Sequence, residues 1–159
     1  MVNILLVCMG NVCRSPMAAG VLRRMLKETG LADKVRVESA GTHTYHEGAP
    51  PDPRSQETAA RRGIDLSVVR ARRLRIQDLD DFDYLLAMDR ENYEYLLALC
   101  HQPEHWSKVQ LLMDYAMDLP VREVRDPYYG GVEGFEQAMD LLEEASQGLV
   151  QYLRRQLSS

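Results

Sequence analysis

Along the chain, short apolar runs alternate with stretches whose apolar residues recur at helical spacing. Val2 to Val7 is a nearly continuous apolar run, which predicts a strand buried on both faces and therefore central. Met17, Val21, Leu22, Met25 and Leu26 then predict a helix over about 16–28, ending near Gly30. Val35 to Ser39 alternates and reads as a second strand nearer an edge. Pro50, Pro51 and Pro53 exclude helix or central strand from the loop they occupy. A helix follows over about 53–62, closed by Gly63. Tyr84 to Met88 is a third strand, and Asp89 caps a helix running to about Leu99 with Tyr93, Leu96 and Leu97 on one face. Val109 to Met113 is a short fourth strand. In a final helix over about 132–156, Phe135, Met139, Leu142 and Ala145 form a stripe that Ala138, Leu141, Leu149 and Leu153 broaden.

Strands alternating with helices predict an α/β fold, a small doubly wound sheet of four parallel strands with helices on both faces. The 159 residues suffice for one domain, spanning 1–159, with a substantial core. No internal period or low-complexity tract interrupts it. No apolar stretch has the length of a membrane span, and Ile4 to Val7 is too short for the core of a signal peptide. The expected compartment is the cytoplasm, with no membrane association. Three cysteines, an odd number, do not fit a secreted disulfide framework. A net charge of −5 gives no support for nucleic-acid binding, so an anionic ligand would have to be drawn by a local field.

Such a field can be built between Ile4 and Pro16. The first strand stops at Cys8; Arg14 follows, then Ser15-Pro16 and the first helix. A loop that enters a helix in this way turns its backbone N–H groups toward one point, and the helix dipole adds to them. Those donors and a guanidinium favour a thiolate over a thiol at Cys8. Arg14 can hold two oxygens of a phosphate in a fork. Pro16 suits the first turn of a helix, and Ser15 is placed to cap it or to donate a hydroxyl hydrogen bond to Cys8. Asn11 tolerates left-handed backbone geometry, and Gly10 is expected to serve the same need. A nucleophile beneath a phosphate cradle is apparatus for attack on phosphorus.

Cys8-Met9-Gly10-Asn11-Val12-Cys13-Arg14-Ser15-Pro16 resembles the signature of the low-molecular-weight protein tyrosine phosphatases, and Asp126-Pro127-Tyr128-Tyr129 resembles that family's second motif. The likeness runs from the first strand to the last helix. It implies strand order 2-1-3-4 and hydrolysis of phosphotyrosine in a protein or peptide, with inorganic phosphate as product and no cofactor. Cys8 would be the nucleophile, Arg14 the phosphate ligand and Asp126 the general acid, within a phosphate loop of Met9, Gly10, Asn11, Val12, Cys13 and Ser15. In the family the asparagine is held by two serines, matched here by Ser15 and Ser39, and by a histidine. Val69 stands at the position of that histidine. Asp89 and Arg54 match polar positions that brace the site region.

Met9, Tyr45, Tyr128 and Tyr129 are candidate walls of an apolar slot, deep enough to select phosphotyrosine over the shorter phosphoserine. Cys13 lies near enough in sequence to reach Cys8 across a curled loop, a reversible pairing that the resemblance also implies; a buried structural thiol is the other reading. Six arginines between Arg61 and Arg75 read as a solvated face. Cys100, His101 and His105 match no common zinc spacing, so no metal is expected. Three other functions compete. A protein arginine phosphatase on the same scaffold would carry threonine where this chain has Val12. An arsenate reductase would need two further downstream cysteines, where there is only Cys100. A phosphate-binding module would need neither Cys8 nor Asp126.

Overall fold

A computed structural model describes residues 1–158, with the side chain of Tyr129 outside the description. Four strands, β1 (Val2–Cys8), β2 (Val35–Gly41), β3 (Tyr84–Ala87) and β4 (Val109–Leu111), form one parallel sheet in the order β2-β1-β3-β4. β1 is central, with Ile4 opposite Val37 on one side and Tyr84 on the other; β2 lies at an edge. Among the described residues six α-helical segments flank the sheet: α1 (Arg14–Glu28), α2 (Pro53–Arg61), α3 (Asp78–Asp81), α4 (Arg90–Leu99), α5 (Pro103–Trp106) and α6 (Gly131–Leu157).

The alternation of strand side chains divides the core in two. Ile4, Leu6 and Leu86 point to one face, where they pack with Met17 and Leu22 of α1 and Phe135, Met139 and Leu142 of α6. Leu5, Val7 and Leu85 point to the other, against Leu79 and Phe82 at α3 and Leu96 of α4. β1 has no solvent face, which is why its sequence reads as an apolar run.

Side chains fix several helix starts. Asp52 accepts the Arg54 N–H ahead of α2, with Pro53 in the first turn, and Asp89 accepts the Asn92 N–H ahead of α4. α1 differs from expectation. It begins at Arg14, and Ser15 does not cap it: Cys13 is the flanking residue and makes no side-chain cap. The fourth strand also ends early, at Leu111, where a 3-10 turn over Leu112–Tyr115 carries Leu112 and Met113 into the core beneath α6. Pro103 opens α5 and places His105 in the interior, 2.7 Å from Asp80 Oδ1. No helix among the described residues is long and apolar enough to cross a membrane.

The arginine-rich stretch is not simply a solvated face. Arg62 ties α2 to Asp140 and Glu143 of α6, and Arg72 is paired with Asp78. At Arg72–Leu74 the main chain runs along the end of β2: Gly41 N–H donates to Arg72 O, and Leu74 N–H to Gly41 O.

α6 crosses the 3-10 turn at Gly148, where a Cβ would stand 1.9 Å from Tyr115 O. Gly148→Ala should therefore lower stability despite alanine's better helix propensity, by about 1–3 kcal/mol for overpacking against backbone. The denaturant midpoint should fall with an unchanged m-value; an unchanged or higher midpoint would show that the two segments are not in such close contact.

Candidate active site

Parallel strands carry the loops at their carboxyl ends to one edge of the sheet, and the site forms there. β1 delivers Cys8 and the loop to Arg14, β2 delivers Ser39 and Gly41, and β3 is followed by Asp89. Thr42 N–H donates to Cys8 O and His43 N–H to Met9 O, so the chain beyond β2 holds the start of the loop. Gly41 permits this approach: a Cβ there would lie 2.7 Å from Met9 O.

The loop turns on Asn11, which adopts φ of 59°, the left-handed region. Gly10, expected to share this conformation, does not have positive φ. The Asn11 side chain is fully engaged. Its Nδ2 donates to Ser15 Oγ at 2.8 Å and to Ser39 Oγ at 3.0 Å, and its Oδ1 accepts from Arg72 N–H at 2.9 Å. Val69, at the place of the expected histidine, packs as a half-buried apolar side chain. A main-chain N–H three residues further on serves Asn11 instead. Sequence reasoning missed Arg72 because a backbone donor carries no side-chain signature.

Cys8 is buried at 2% exposure, with Sγ 2.9 Å from Ser15 Oγ and 3.2 Å from the Asn11 N–H that donates to it. Among the described residues no acceptor takes the N–H of Gly10, Val12 or Cys13, and those of Arg14 and Ser15 open α1 without an intrahelical partner. These are the donors that an anion at the mouth of the loop would meet.

Arg14 is also buried. Its Nη1 donates to Asp89 Oδ2 at 2.5 Å and to Val124 O at 2.9 Å. Nε and Nη2 make no hydrogen bond among the described residues, and Nη2 lies 4.0 Å from Asp126 Oδ2. One edge of the guanidinium is anchored and the other is left as a fork. Burial opposes the charge, but Cys8, Asp89 and Asp126 outweigh it and hold the Arg14 pKa above its ordinary value. Asp89 thus caps α4 with one oxygen and holds Arg14 with the other.

Asp126 is exposed. Its Oδ1 accepts the Tyr128 N–H at 3.0 Å. Tyr128 is braced from beneath by Arg54, whose Nη1 donates to Tyr128 O at 2.8 Å and whose guanidinium lies 4.9 Å from the Tyr128 ring and 4.8 Å from the Phe135 ring. Arg54 is held by Asp52, and that pairing keeps the Asp52 carboxyl below the usual carboxylate range.

A cavity of about 390 Å³ opens above the loop. Cys8 and Arg14 form its floor, Met9, Tyr45 and Tyr128 line its sides with His46 and Ala49, and Asp126 sits beside it. Tyr129, the fourth expected wall, has a side chain outside the described residues. His46 and Ala49 were not anticipated, since a proline-rich loop shows no pattern from which an inward-facing residue can be read. Among the described residues no group of three or more His, Cys, Asp or Glu side chains is arranged to hold a metal.

A family model described as low molecular weight phosphotyrosine protein phosphatase matches residues 3–159. The chain belongs to this family. Among its relatives is the low molecular weight protein-tyrosine-phosphatase YfkJ of Bacillus subtilis, 38% identical over 98% of both chains. The crystal structure of a protein tyrosine phosphatase from Entamoeba histolytica, with Hepes in its active site, superposes with a TM-score of 0.93 at 36% identity, covering 98% of each chain. The YwlE arginine phosphatase is more distant, with a TM-score of 0.85 at 27% identity over 96% of this phosphatase and 95% of that chain.

Cys13, on the same loop, differs from Cys8 in its surroundings. Burial first, and then the nearby Asp52 carboxylate, push its thiol from an ordinary 9.0 up to about 12. In the folded phosphatase Cys13 keeps its proton where the unfolded chain has lost it. The unfolded state then binds fewer protons, so stability falls as pH rises from about 9 toward 12. Cys13→Ala should make that alkaline decline shallower, as read from urea midpoints between pH 8 and about 10.5. Identical slopes for the two proteins would show that Cys13 is not held as a buried thiol.

Proposed function

We propose that this phosphatase hydrolyses phosphotyrosine in proteins through a phosphocysteine intermediate on Cys8. The reading is carried by one observation: the free Nε–Nη2 edge of Arg14 lies in the same cavity as a buried thiol that receives its own hydrogen bond from Asn11 N–H. A phosphate seated on the loop amides and this fork has phosphorus above Sγ. Cys8 attacks, the P–O bond to the phenol breaks, and Asp126 protonates the departing oxygen. Water then attacks phosphorus with Asp126 as base, the S–P bond breaks, and inorganic phosphate leaves. Arg14 and the amides stabilise the charge on the equatorial oxygens in both steps. The Ser15 hydroxyl, 2.9 Å from Sγ, donates to the thiolate as it leaves.

The substrate assignment rests on the slot. Met9, Tyr45 and Tyr128 offer apolar sides to an aromatic ring, and a thiol at the floor is out of reach for the shorter phosphoserine. Val12 gives the loop an apolar side chain rather than a hydroxyl suited to a guanidinium, which favours phosphotyrosine over phosphoarginine. The work is assigned to a single domain of residues 1–159 in the cytoplasm. Cys13 is the partner within the loop for a reversible disulfide with Cys8, and burial holds its thiol protonated.

Cys8→Ser should abolish hydrolysis of p-nitrophenyl phosphate, and unaltered turnover would exclude the covalent route. Asp126→Asn should slow release of poor leaving groups by roughly 10²–10⁴ and good ones far less; a uniform loss across a leaving-group series would remove Asp126 as the acid.

Peptides carrying phosphotyrosine or phosphoarginine at the same position separate the two substrate readings. The phosphotyrosine peptide should have the higher kcat/KM, and the reverse order would overturn the assignment.

A further inference from the structure

Beyond the catalytic cavity, across the Asp126 segment, lies a second and larger groove of about 870 Å³. Its sides are the start of α4, residues 120–127 and the first turns of α6, and Asp126 lines both it and the catalytic cavity. Any peptide whose phosphotyrosine enters the catalytic cavity and whose chain continues past Asp126 must run over this groove.

Its charges fall into two sets. Arg122 is occupied, donating to the carbonyls of Met113, Ala116 and Val121 and lying 3.8 Å from Asp114. Glu123 accepts the Arg90 N–H at the start of α4, and Glu133 stands in the first turn of α6, so both carboxylates lie at helix N-termini that offset their charge. The side chains of Arg90 and Arg125 are different. Both are exposed, and among the described residues neither makes a side-chain hydrogen bond or ion pair. Arg125 is the residue immediately before Asp126, and Arg90 the one immediately after Asp89, so two uncommitted cations flank the segment that carries the proposed acid. The groove lining also holds the carboxylates of Glu123, Asp126 and Glu133, so Arg90 and Arg125 are the two cations in it whose side chains have no ionic partner among the described residues.

We propose that this groove is a docking subsite for acidic side chains of the protein substrate, Asp or Glu within the first few residues flanking the phosphotyrosine on the side that crosses Asp126, with Arg90 and Arg125 as the specificity-determining residues. The inference rests on the phosphotyrosine reading above. Neither arginine touches the reacting atoms, so the subsite acts on peptide binding and leaves the chemical step alone. Val121, also in the groove and partly exposed, gives the stems of such side chains an apolar surface.

The test compares three substrates at low ionic strength: p-nitrophenyl phosphate, a phosphotyrosine peptide flanked on both sides by Asp and Glu, and the same peptide with Asn and Gln in their place. Exposed ion pairs are each worth up to about a fivefold change in affinity, so the unaltered phosphatase should favour the acidic peptide by roughly tenfold in kcat/KM, mainly through KM. The preference should fade as salt is raised past the point where the Debye length is about 10 Å. In Arg90→Gln/Arg125→Gln the two peptides should become nearly equal while p-nitrophenyl phosphate turnover stays within about twofold of the unaltered protein. Arg90→Gln alone, which leaves the neighbour of Asp126 intact, should lose about half of the preference on a logarithmic scale. Equal kcat/KM for the two peptides with the unaltered protein, or a preference that survives both variants, would overturn the subsite. Turnover of p-nitrophenyl phosphate with neither peptide hydrolysed would instead defeat the phosphotyrosine reading on which it stands.

Discussion

The site depends first on how one side chain is spent. Asn11 takes the left-handed conformation that bends the loop around a central point, a backbone state that bulkier residues avoid. Its amide is satisfied by α1 through Ser15, by β2 through Ser39 and by the strand-like return through the Arg72 N–H. A residue in a sparsely populated backbone region persists only where its surroundings over-determine it. Here three segments, separated by 28 and 61 residues from Asn11 at the far contacts, meet on one amide. The same residue then turns its own N–H to Cys8 Sγ, so the sulfur's position and the loop's curvature share one anchor.

A second constraint follows from burial of charge. An unpaired guanidinium at 3% exposure would be severely destabilising, and a buried pair needs good geometry to offset its desolvation. Arg14 meets this by giving one terminal nitrogen to Asp89 and Val124 O. That arrangement orients the planar group and turns its remaining edge to the cavity. Asp89 can serve because β1 and β3 are adjacent and parallel, which brings their following residues to the same end of the sheet. The strand order is therefore part of the site: moving β3 away from β1 would separate the arginine from its anchor.

Much of this could be read from the chain. The four strands and the longer helices follow from periodicity because each buries a large apolar face, and Cys8 and Arg14 are named by residue type and spacing, whereas Asp126 is named only by its resemblance to the family's second motif. What could not be read is set by main-chain geometry. The Arg72 N–H would serve Asn11 with almost any side chain at that position, so the arginine there suggested only a charged surface. Ser15 reads equally as a helix cap or as a partner of Cys8, because caps and interior hydroxyls share a sequence signature; the start of α1 at Arg14 and the contact with Cys8 Sγ separate them. Gly10 suggested a left-handed residue, yet Asn11 alone supplies that turn in the loop. The early end of β4 was hidden too, since Leu112 and Met113 are as apolar in a 3-10 turn packed under α6 as they would be in a strand.

Val69 shows how such a site tolerates change. Asn11 Oδ1 needs a donor, and any N–H of suitable geometry meets that need, whether from an imidazole or from the backbone. With a backbone donor, the direct partners of the Asn11 side chain are two hydroxyls and a peptide N–H. None of these titrates between pH 5 and 8, the range in which a histidine partner changes charge. Position 69 is then free to be apolar, and Val69 uses that freedom to pack against the core behind the loop.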